Sequence, residues 1–247
     1  GDGCLMEGIS HEVCSLAGVW GLNKLIALYD DNGISIDGAV TGWFRDDTAA
    51  RFRAYGWQVL GPVDGHSEFD VSQAIARAKD SADRPTLIIC RTTIGQGSPG
   101  RAGTAKAHGE PLGAEEIASS KASIGWTSAP FEVPPELRAQ WDAREIGRVR
   151  EAQWQARFAA YRVAHPALAA AFERRIAGEL PDDWTGMVAT ALDALDAKPE
   201  SVATRKASQK VLAALGPQMP ELFGGSADLT GSNLTDFPGG EDRHLSY

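Results

Sequence analysis

A carboxylate at Asp2, set between Gly1 and Gly3, and a side-chain amide at Asn32, set in the polar cluster Asp30-Asp31-Asn32-Gly33, are the residues whose types and spacing point most directly to chemistry. Glycines at 1 and 3 let backbone N–H groups approach phosphate oxygens, and a helix N-terminus behind them favours negative charge. Asp2 offers a hard carboxylate oxygen, Asn32 a neutral carbonyl oxygen, and a backbone carbonyl just beyond makes a further donor. Such a set, completed by phosphate oxygens and water, suits octahedral Mg²⁺ better than a softer metal. Gly-Asp-Gly alone more often marks a solvated turn. An Asn-containing turn about thirty positions later, after an apolar run, sharpens it. The chemistry indicated is a divalent cation holding a diphosphate.

Elements that position these groups are legible around them. Leu5, Ile9, Val13, Leu16 and Ala17 have helical spacing, and Leu25-Ile26-Ala27-Leu28-Tyr29 is strand-like in length and ends at the acidic turn. In a right-handed parallel α/β crossover, the turn before the helix and the turn after the next strand lie at one sheet edge, so Asp2 and Asn32 can face one site. Residues 39–56 read as a loop and a short helix with Ala49, Phe52 and Tyr55 inward. Trp57–Leu60 reads as a strand ending at Gly61-Pro62, and 67–82 as a helix with Phe69, Ile75 and Ala78 on its apolar side. The unbroken apolarity of Thr86–Cys90 suits a parallel strand covered on both faces. This alternation predicts a doubly wound parallel α/β sheet, with ligands at the carboxyl ends of its strands.

Gly95-Gln96-Gly97-Ser98-Pro99-Gly100 matches the dinucleotide fingerprint letter for letter. That motif needs a helix opening inside it, whereas Pro99, Gly100 and Gly103 predict a long mobile loop. A glycine-rich loop ending at His108-Gly109 reads instead as a flap over an active site. A non-catalytic dinucleotide-binding module using 95–100 is the alternative from a different class. His11-Glu12-Val13-Cys14-Ser15 lacks the second histidine of a zinc-hydrolase helix, and His66 reads as structural.

From 134 to 180 the pattern is amphipathic helix, with Trp141, Trp154, Phe158, Tyr161 and Phe172 among charged residues; such a stripe is packing. Pro181-Asp182-Asp183-Trp184 breaks it, and 183–200 reads as a linker. A second, partial α/β domain is expected from 201, opening with a helix through Val211, Leu212 and Leu215 and a short strand at Glu221-Leu222-Phe223.

Composition frames these readings. At 247 residues and 43% apolar content the chain can bury roughly 70% of its unfolded surface, as one large domain or parts of two. A net charge of −9 argues against a nucleic-acid partner, which needs a basic face. Cys4, Cys14 and Cys90 lack zinc spacing and, being odd in number, suggest reduced thiols in a cytoplasmic setting. No apolar run approaches the length of a membrane span, and no membrane partner is expected.

GDGCLMEGISHE and ALYDDNGISIDG, with TTIGQGSPGRAGTAKAHGEPLG at 92–113, ATRKAS at 203–208 and GGSADLTGSN at 224–233, closely resemble the transketolases. The resemblance runs in order through nearly the whole chain. It implies thiamine diphosphate with Mg²⁺ (Ca²⁺ or Mn²⁺ in its place), and transfer of a two-carbon ketol unit from a ketose phosphate to an aldose phosphate, in the pentose phosphate pathway or Calvin cycle. It implies a homodimer with active sites at the subunit interface. Asp2, Asn32 and the carbonyl of Ile34 would hold the metal, Gly3 would approach the diphosphate, and Ile36 would lie against the thiazolium. His108 would contact diphosphate and substrate and act in catalysis, with Asp228 ordering substrate hydroxyls and Leu229 near the ring of the cofactor. Arg205 and Ser232 would bind the substrate phosphate, which Arg's planar fork suits. Glu7 would join a glutamate network linking the two sites of the dimer.

The chain departs from that pattern in places. Glu110 follows His108-Gly109 where the family usually has Ala, and Gly231 stands where it generally has Pro, loosening the turn that positions Ser232. The resemblance also assigns 1–182 to the diphosphate-binding domain, lacking its N-terminal part, and 201–247 to the start of a pyrimidine-binding domain. The glutamate that hydrogen-bonds the aminopyrimidine is expected beyond Tyr247, so these 247 residues alone are expected to be inactive. Within thiamine enzymes the alternatives are a dihydroxyacetone synthase and a deoxyxylulose-phosphate synthase.

Overall fold

A computed structural model of the chain describes residues 1–226 and 229–238. By compactness they fall into two units, Gly1–Val133 and the residues from Pro134 onward.

The first unit is built on a three-stranded parallel sheet. Strands β1 (Ile26–Asp31), β4 (Gln58–Asp64) and β5 (Thr86–Arg91) lie in the order β1-β5-β4. Thr86 pairs with Ile26 on one side and Gln58 on the other, and Ile89 lies opposite Tyr29. Strand β5 is buried through Cys90, as its unbroken apolarity predicts for a central parallel strand. Its side chains alternate between two cores. Leu87 and Ile89 join Ala17, Tyr29, Phe52 and Trp57 on one face, while Ile88 and Cys90 join Leu60, Ala74 and Ala78 on the other. Helices α2 (Gly8–Val19) and α3 (Thr48–Ala54) supply the first layer and α4 (Glu68–Lys79) the second, which is the doubly wound arrangement.

Three local details differ from the sequence pattern. The single helix expected through residues 5–17 is two: α1 (Asp2–Met6) and α2, separated by Glu7 in extended conformation. Strand β4 runs past Gly61-Pro62 to Asp64, because β4 is an edge strand where a proline forfeits no ladder bond, and a register shift between Leu60 and Val63 absorbs it. Phe69, placed on the buried side of α4, is instead 71% exposed; the helix packs through the small side chains Ala74 and Ala78.

Between β1 and α3, a two-residue hairpin pairs β2 (Ile34–Ser35) with β3 (Gly38–Ala39). After β5 come α5 (Lys106–Gly109) and α6 (Ala114–Ser123). The α2 and α3 layer is closed by backbone contact: a Cβ on Gly18 would stand 1.7 Å from the carbonyl oxygen of Tyr55.

The second unit contains α7 (Pro135–Trp141), α8 (Arg144–Ala164), α9 (Pro166–Ile176), α10 (Trp184–Asp196), α11 (Thr204–Leu215) and α12 (Thr230–Asn233). Helices α8 and α9 pack through Phe158 and Phe172, with ring centroids 5.4 Å apart, and Trp154 and Tyr161 stack on Phe158, whereas Trp141, read as part of the same packing stripe, is 87% exposed. The stretch 183–200, read as a linker, holds α10; Met187 is its buried residue and α11 its neighbour. No strand forms at Glu221-Leu222-Phe223, and Leu222 and Phe223 are exposed.

Candidate functional site

Asp2 begins α1 and is 3% exposed. Its Oδ2 accepts the N–H of Gly33 at 3.0 Å, and its Oδ1 accepts the hydroxyl of Tyr29. The carboxyl end of β1 therefore meets the N-terminal turn of α1, and Asp2 touches the residue next to Asn32. Gly1 sits against the same strand end, where a Cβ would lie 3.8 Å from the carbonyl oxygen of Asp30. Open space surrounds Gly3. Asn32 fixes its own turn, its Oδ1 accepting the N–H of Ile34 at 2.9 Å while its Nδ2 reaches Asp30 at 3.2 Å.

The electrostatics around Asp2 are those of an anionic pocket. Burial pushes the Asp31 carboxyl above the usual carboxylate range; Arg91, 3.2 Å away, pulls it back down, and Asp2 adds to the rise. Tyr29 is held firmly as the protonated phenol, first by burial and then by its hydrogen bond to Asp2. A cavity of about 370 Å³ opens here, with Asp2, Tyr29, Asp31, Phe44 and Arg91 in its wall. Among the described residues Asp2 has no ion-pair partner, and no group of three or more His, Cys, Asp or Glu side chains is gathered to hold a metal.

This donor set fits a hard divalent cation. A buried carboxylate facing only neutral donors beside a second carboxylate is stabilised by a cation, and each oxygen that accepts one hydrogen bond keeps a further lone pair. Asp2 and Asn32 would hold such an ion, with the carbonyl of Ile34 close by in the same turn.

The glycine-rich segment after β5 does not form a dinucleotide motif. No helix opens inside 95–100; the next helix, α5, begins at Lys106. The segment is a series of turns, closed by Ser98 N–H to Gly95 at 2.9 Å and Gly103 N–H to Ile94 at 2.8 Å. Ser98 is 4% exposed and donates its hydroxyl to Glu116 of α6, which also accepts the N–H of Gly100 at 2.7 Å. His66 accepts the N–H of Thr93 at 2.7 Å and so ties the end of β4 to the segment after β5. Glu110 pairs with Arg101 at 3.2 Å, so the extra carboxylate after His108-Gly109 is balanced locally.

His108 is exposed on α5, and the next residue approaches Ile36: a Cβ on Gly109 would lie 3.7 Å from Ile36 Cδ1. The fold thus brings the α5 turn to the hairpin that follows the Asn32 turn. Glu7 is exposed at the break between α1 and α2. In the second unit Arg205, in the first turn of α11, donates to the carbonyl of Ser232 at 3.2 Å, so these two also meet. Leu229 is 52% exposed, and Asp228 lies outside the described residues.

Tyr29, Arg51 and Glu116 are the site-supporting residues that motif reading passes over. Period-two alternation puts Tyr29 and Asp31 on one strand face, which is the signal for Tyr29. Arg51 has none in the sequence. It bonds the carbonyl of Leu5 at 3.3 Å and Asp46 at 2.9 Å, tying α1 to α3 across 46 positions.

Residues 1–181 match the family described as transketolase, thiamine diphosphate binding domain. The chain is 56% identical to transketolase 2 of Escherichia coli over 239 residues, 97% of this chain and 36% of that protein. It is 58% identical to the plasmid transketolase of Cupriavidus necator over 236 residues, 96% of this chain and 35% of that protein. It therefore spans about a third of the length of the curated relatives it matches. Among solved structures, a Pichia stipitis transketolase in complex with sedoheptulose 7-phosphate superposes with a TM-score of 0.83 at 40% identity, over 97% of this chain and 35% of that one. The Leishmania mexicana transketolase gives 0.80 at 40% identity, over 96% and 34%. The strand-end carboxylate, the Asn turn and these matches together place the chain in the transketolase family, with residues 1–181 its thiamine diphosphate-binding domain.

Proposed function

We propose that the protein carrying this chain is a transketolase, moving a two-carbon ketol unit from a ketose phosphate to an aldose phosphate. The observation that carries this reading is the Gly33 N–H to Asp2 hydrogen bond, which gathers the Gly-Asp-Gly turn and the Asn32 turn at one sheet edge within the matched domain. Thiamine diphosphate, when bound, supplies the nucleophilic carbon that carries the ketol unit. Asp2, Asn32 and the Ile34 carbonyl hold Mg²⁺, Gly3 leaves room for the diphosphate, and Ile36 packs against the thiazolium. His108, exposed beside Ile36, moves a proton at the substrate and contacts the diphosphate. Across the subunit interface, at the cofactor of the partner subunit, Arg205 and Ser232 grip the sugar phosphate, and Asp228 and Leu229 complete the substrate and cofactor contacts.

The active assembly is a homodimer with Glu7 in a network linking its sites. Support comes from Ile9, Val13 and Leu16, which run at helical spacing along α2 and are 43 to 65% exposed in the single chain, with Met6 at the end of α1 41% exposed. Three free cysteines support a cytoplasmic setting, and among the described residues no helix is long and apolar enough to cross a membrane. The residues from 201 onward open a pyrimidine-binding domain. Arg205 with Ser232 favours phosphorylated sugars, and a dihydroxyacetone synthase would differ in its acceptor. Ketol transfer between xylulose 5-phosphate and ribose 5-phosphate, assayed on the full-length protein with thiamine diphosphate and Mg²⁺, tests the reading; no transfer contradicts it.

A further inference from the structure

The glycine-rich segment and α6 share a set of contacts that the reaction does not itself require. Glu116 reaches from α6 to the Ser98 hydroxyl and to the Gly100 N–H at 2.7 Å, both through Oε1. The fit is close: a Cβ on Gly100 would stand 2.8 Å from Glu116 Oε2, and one on Gly97 2.6 Å from Ile124 beyond the end of α6. Arg101, next in sequence and 24% exposed in its side chain, lies near enough to Glu116 to act on its charge and pairs with Glu110 at 3.2 Å. Glu110 is two residues past His108. From Arg101 the chain turns back through Thr104, whose hydroxyl bonds the Arg101 carbonyl at 2.7 Å, into the α5 turn, where His108 N–H bonds Ala105 at 2.9 Å. Gly95 closes the other side, since a Cβ there would meet Ala107 at 2.8 Å.

We propose that Glu116 is a positioning residue: with Arg101 and Glu110 it clamps segment 95–110 onto α6 and so fixes where His108 stands relative to Ile36. Three features favour this over an incidental surface contact. Ser98 is 4% exposed, so its hydroxyl would have little water to turn to if the bond to the half-buried Glu116 were unmade. The bond to Gly100 is from backbone, so it constrains the path of the chain and not just a side chain. The Arg101–Glu110 pair brackets His108 on its C-terminal side, whereas the Glu116 bonds hold the start of the same segment. A histidine on such a turn is placed by its anchors, and misplacement of a reacting group by about 1 Å can cost a hundredfold in rate.

The inference rests on the reading of His108 as a substrate contact, and the test separates the two. In the full-length protein, hydrogen exchange by mass spectrometry is followed over residues 92–112 for wild type, Glu116→Ala, Glu116→Gln and Ser98→Ala, without substrate. Glu116→Ala is expected to raise exchange by about tenfold or more through His108, and Glu116→Gln, which keeps an acceptor oxygen, to restore most of the protection. In turnover, Glu116→Ala is expected to raise the KM for the ketose phosphate by about tenfold, with a melting temperature near that of wild type, and Glu116→Gln to recover it. Exchange unchanged at His108 in Glu116→Ala overturns the clamp. So does increased exchange without any change in KM or kcat, or a loss that Glu116→Gln fails to recover. Should Glu116→Ala not fold, Ser98→Ala, which removes one of the two bonds, carries the same measurements. A wild-type protein with no ketol transfer would refute the functional reading alone, and the exchange experiment would still decide the clamp.

Discussion

The N–H of Gly33 donates to Oδ2 of Asp2 across 3.0 Å, joining two turns that stand 31 positions apart in the chain. A strand end and a helix start are thereby fixed to each other at the carboxyl edge of a parallel sheet, where α/β proteins bind their ligands. The bond also orients Asp2, whose other oxygen is taken by Tyr29.

Tyr29→Phe removes that hydroxyl and leaves a buried carboxylate oxygen short of a donor. A loss of about 1–3 kcal/mol in stability is expected from the unmade hydrogen bond, read as a lower urea midpoint. Because the bond orients the carboxylate proposed to hold Mg²⁺, metal-dependent binding of thiamine diphosphate should weaken by about tenfold or more. Calorimetry checks the second effect separately from the first.

Phe52 is 2% exposed and makes edge contacts with Trp57 at 5.1 Å and Tyr55 at 5.7 Å. Phe52→Ala is expected to cost about 3–5 kcal/mol, by lost transfer energy and the cavity left behind. Denaturant unfolding followed by tryptophan fluorescence measures it.

Gly18→Ala should also destabilise, although it adds only one methyl group. The new Cβ would stand 1.7 Å from the carbonyl oxygen of Tyr55, so α2 must move away from the end of α3. Overpacking of this kind costs about 1–3 kcal/mol or more, and a melting temperature unchanged from wild type would contradict it.

Glu116 carries a pH dependence. Its carboxyl is held below its ordinary value of 4.5, first by the Ser98 hydroxyl and then by the Gly100 N–H. A carboxylate with a depressed folded value stabilises the fold fully above pH 4.5 and loses that contribution as pH falls through the folded value. The difference in urea midpoint between wild type and Glu116→Gln should be present at neutral pH and vanish under acid conditions. A difference that persists or grows in acid would be the wrong sign.

Sequence reasoning reached furthest where chemistry and periodicity coincide. The apolar run Thr86–Cys90 is the central strand, and the Gly-Asp-Gly and Asn turns meet as a parallel crossover requires. It fell short where tertiary context decides. Phe69 looks like a core residue on a helical wheel, yet α4 meets the sheet through Ala74, Ile75 and Ala78 and leaves Phe69 exposed. The break at Glu7 leaves no mark in the apolar spacing, because Leu5 and Ile9 keep their helical interval across it. Residues 184–196 look like a connector after Pro181 but bury Met187 and form a helix. The glycine-rich segment has the composition of a mobile loop, and only the fold shows Glu116 reaching back to hold it. Arg51 has a local partner in Asp46, but its contacts to Leu5 and His11, which tie it to α1 and α2, lie at least 40 positions away and leave no mark in the sequence.

The central claim is that Asp2 and the Asn32 turn together hold a divalent cation bearing the diphosphate. Isothermal titration of thiamine diphosphate into the full-length protein, with and without Mg²⁺, for wild type and Asp2→Ala, tests it most directly. Metal-dependent binding in wild type and its loss in Asp2→Ala are the expected results. An Asp2→Ala protein that binds the cofactor with unchanged affinity and unchanged dependence on Mg²⁺ would contradict the assignment.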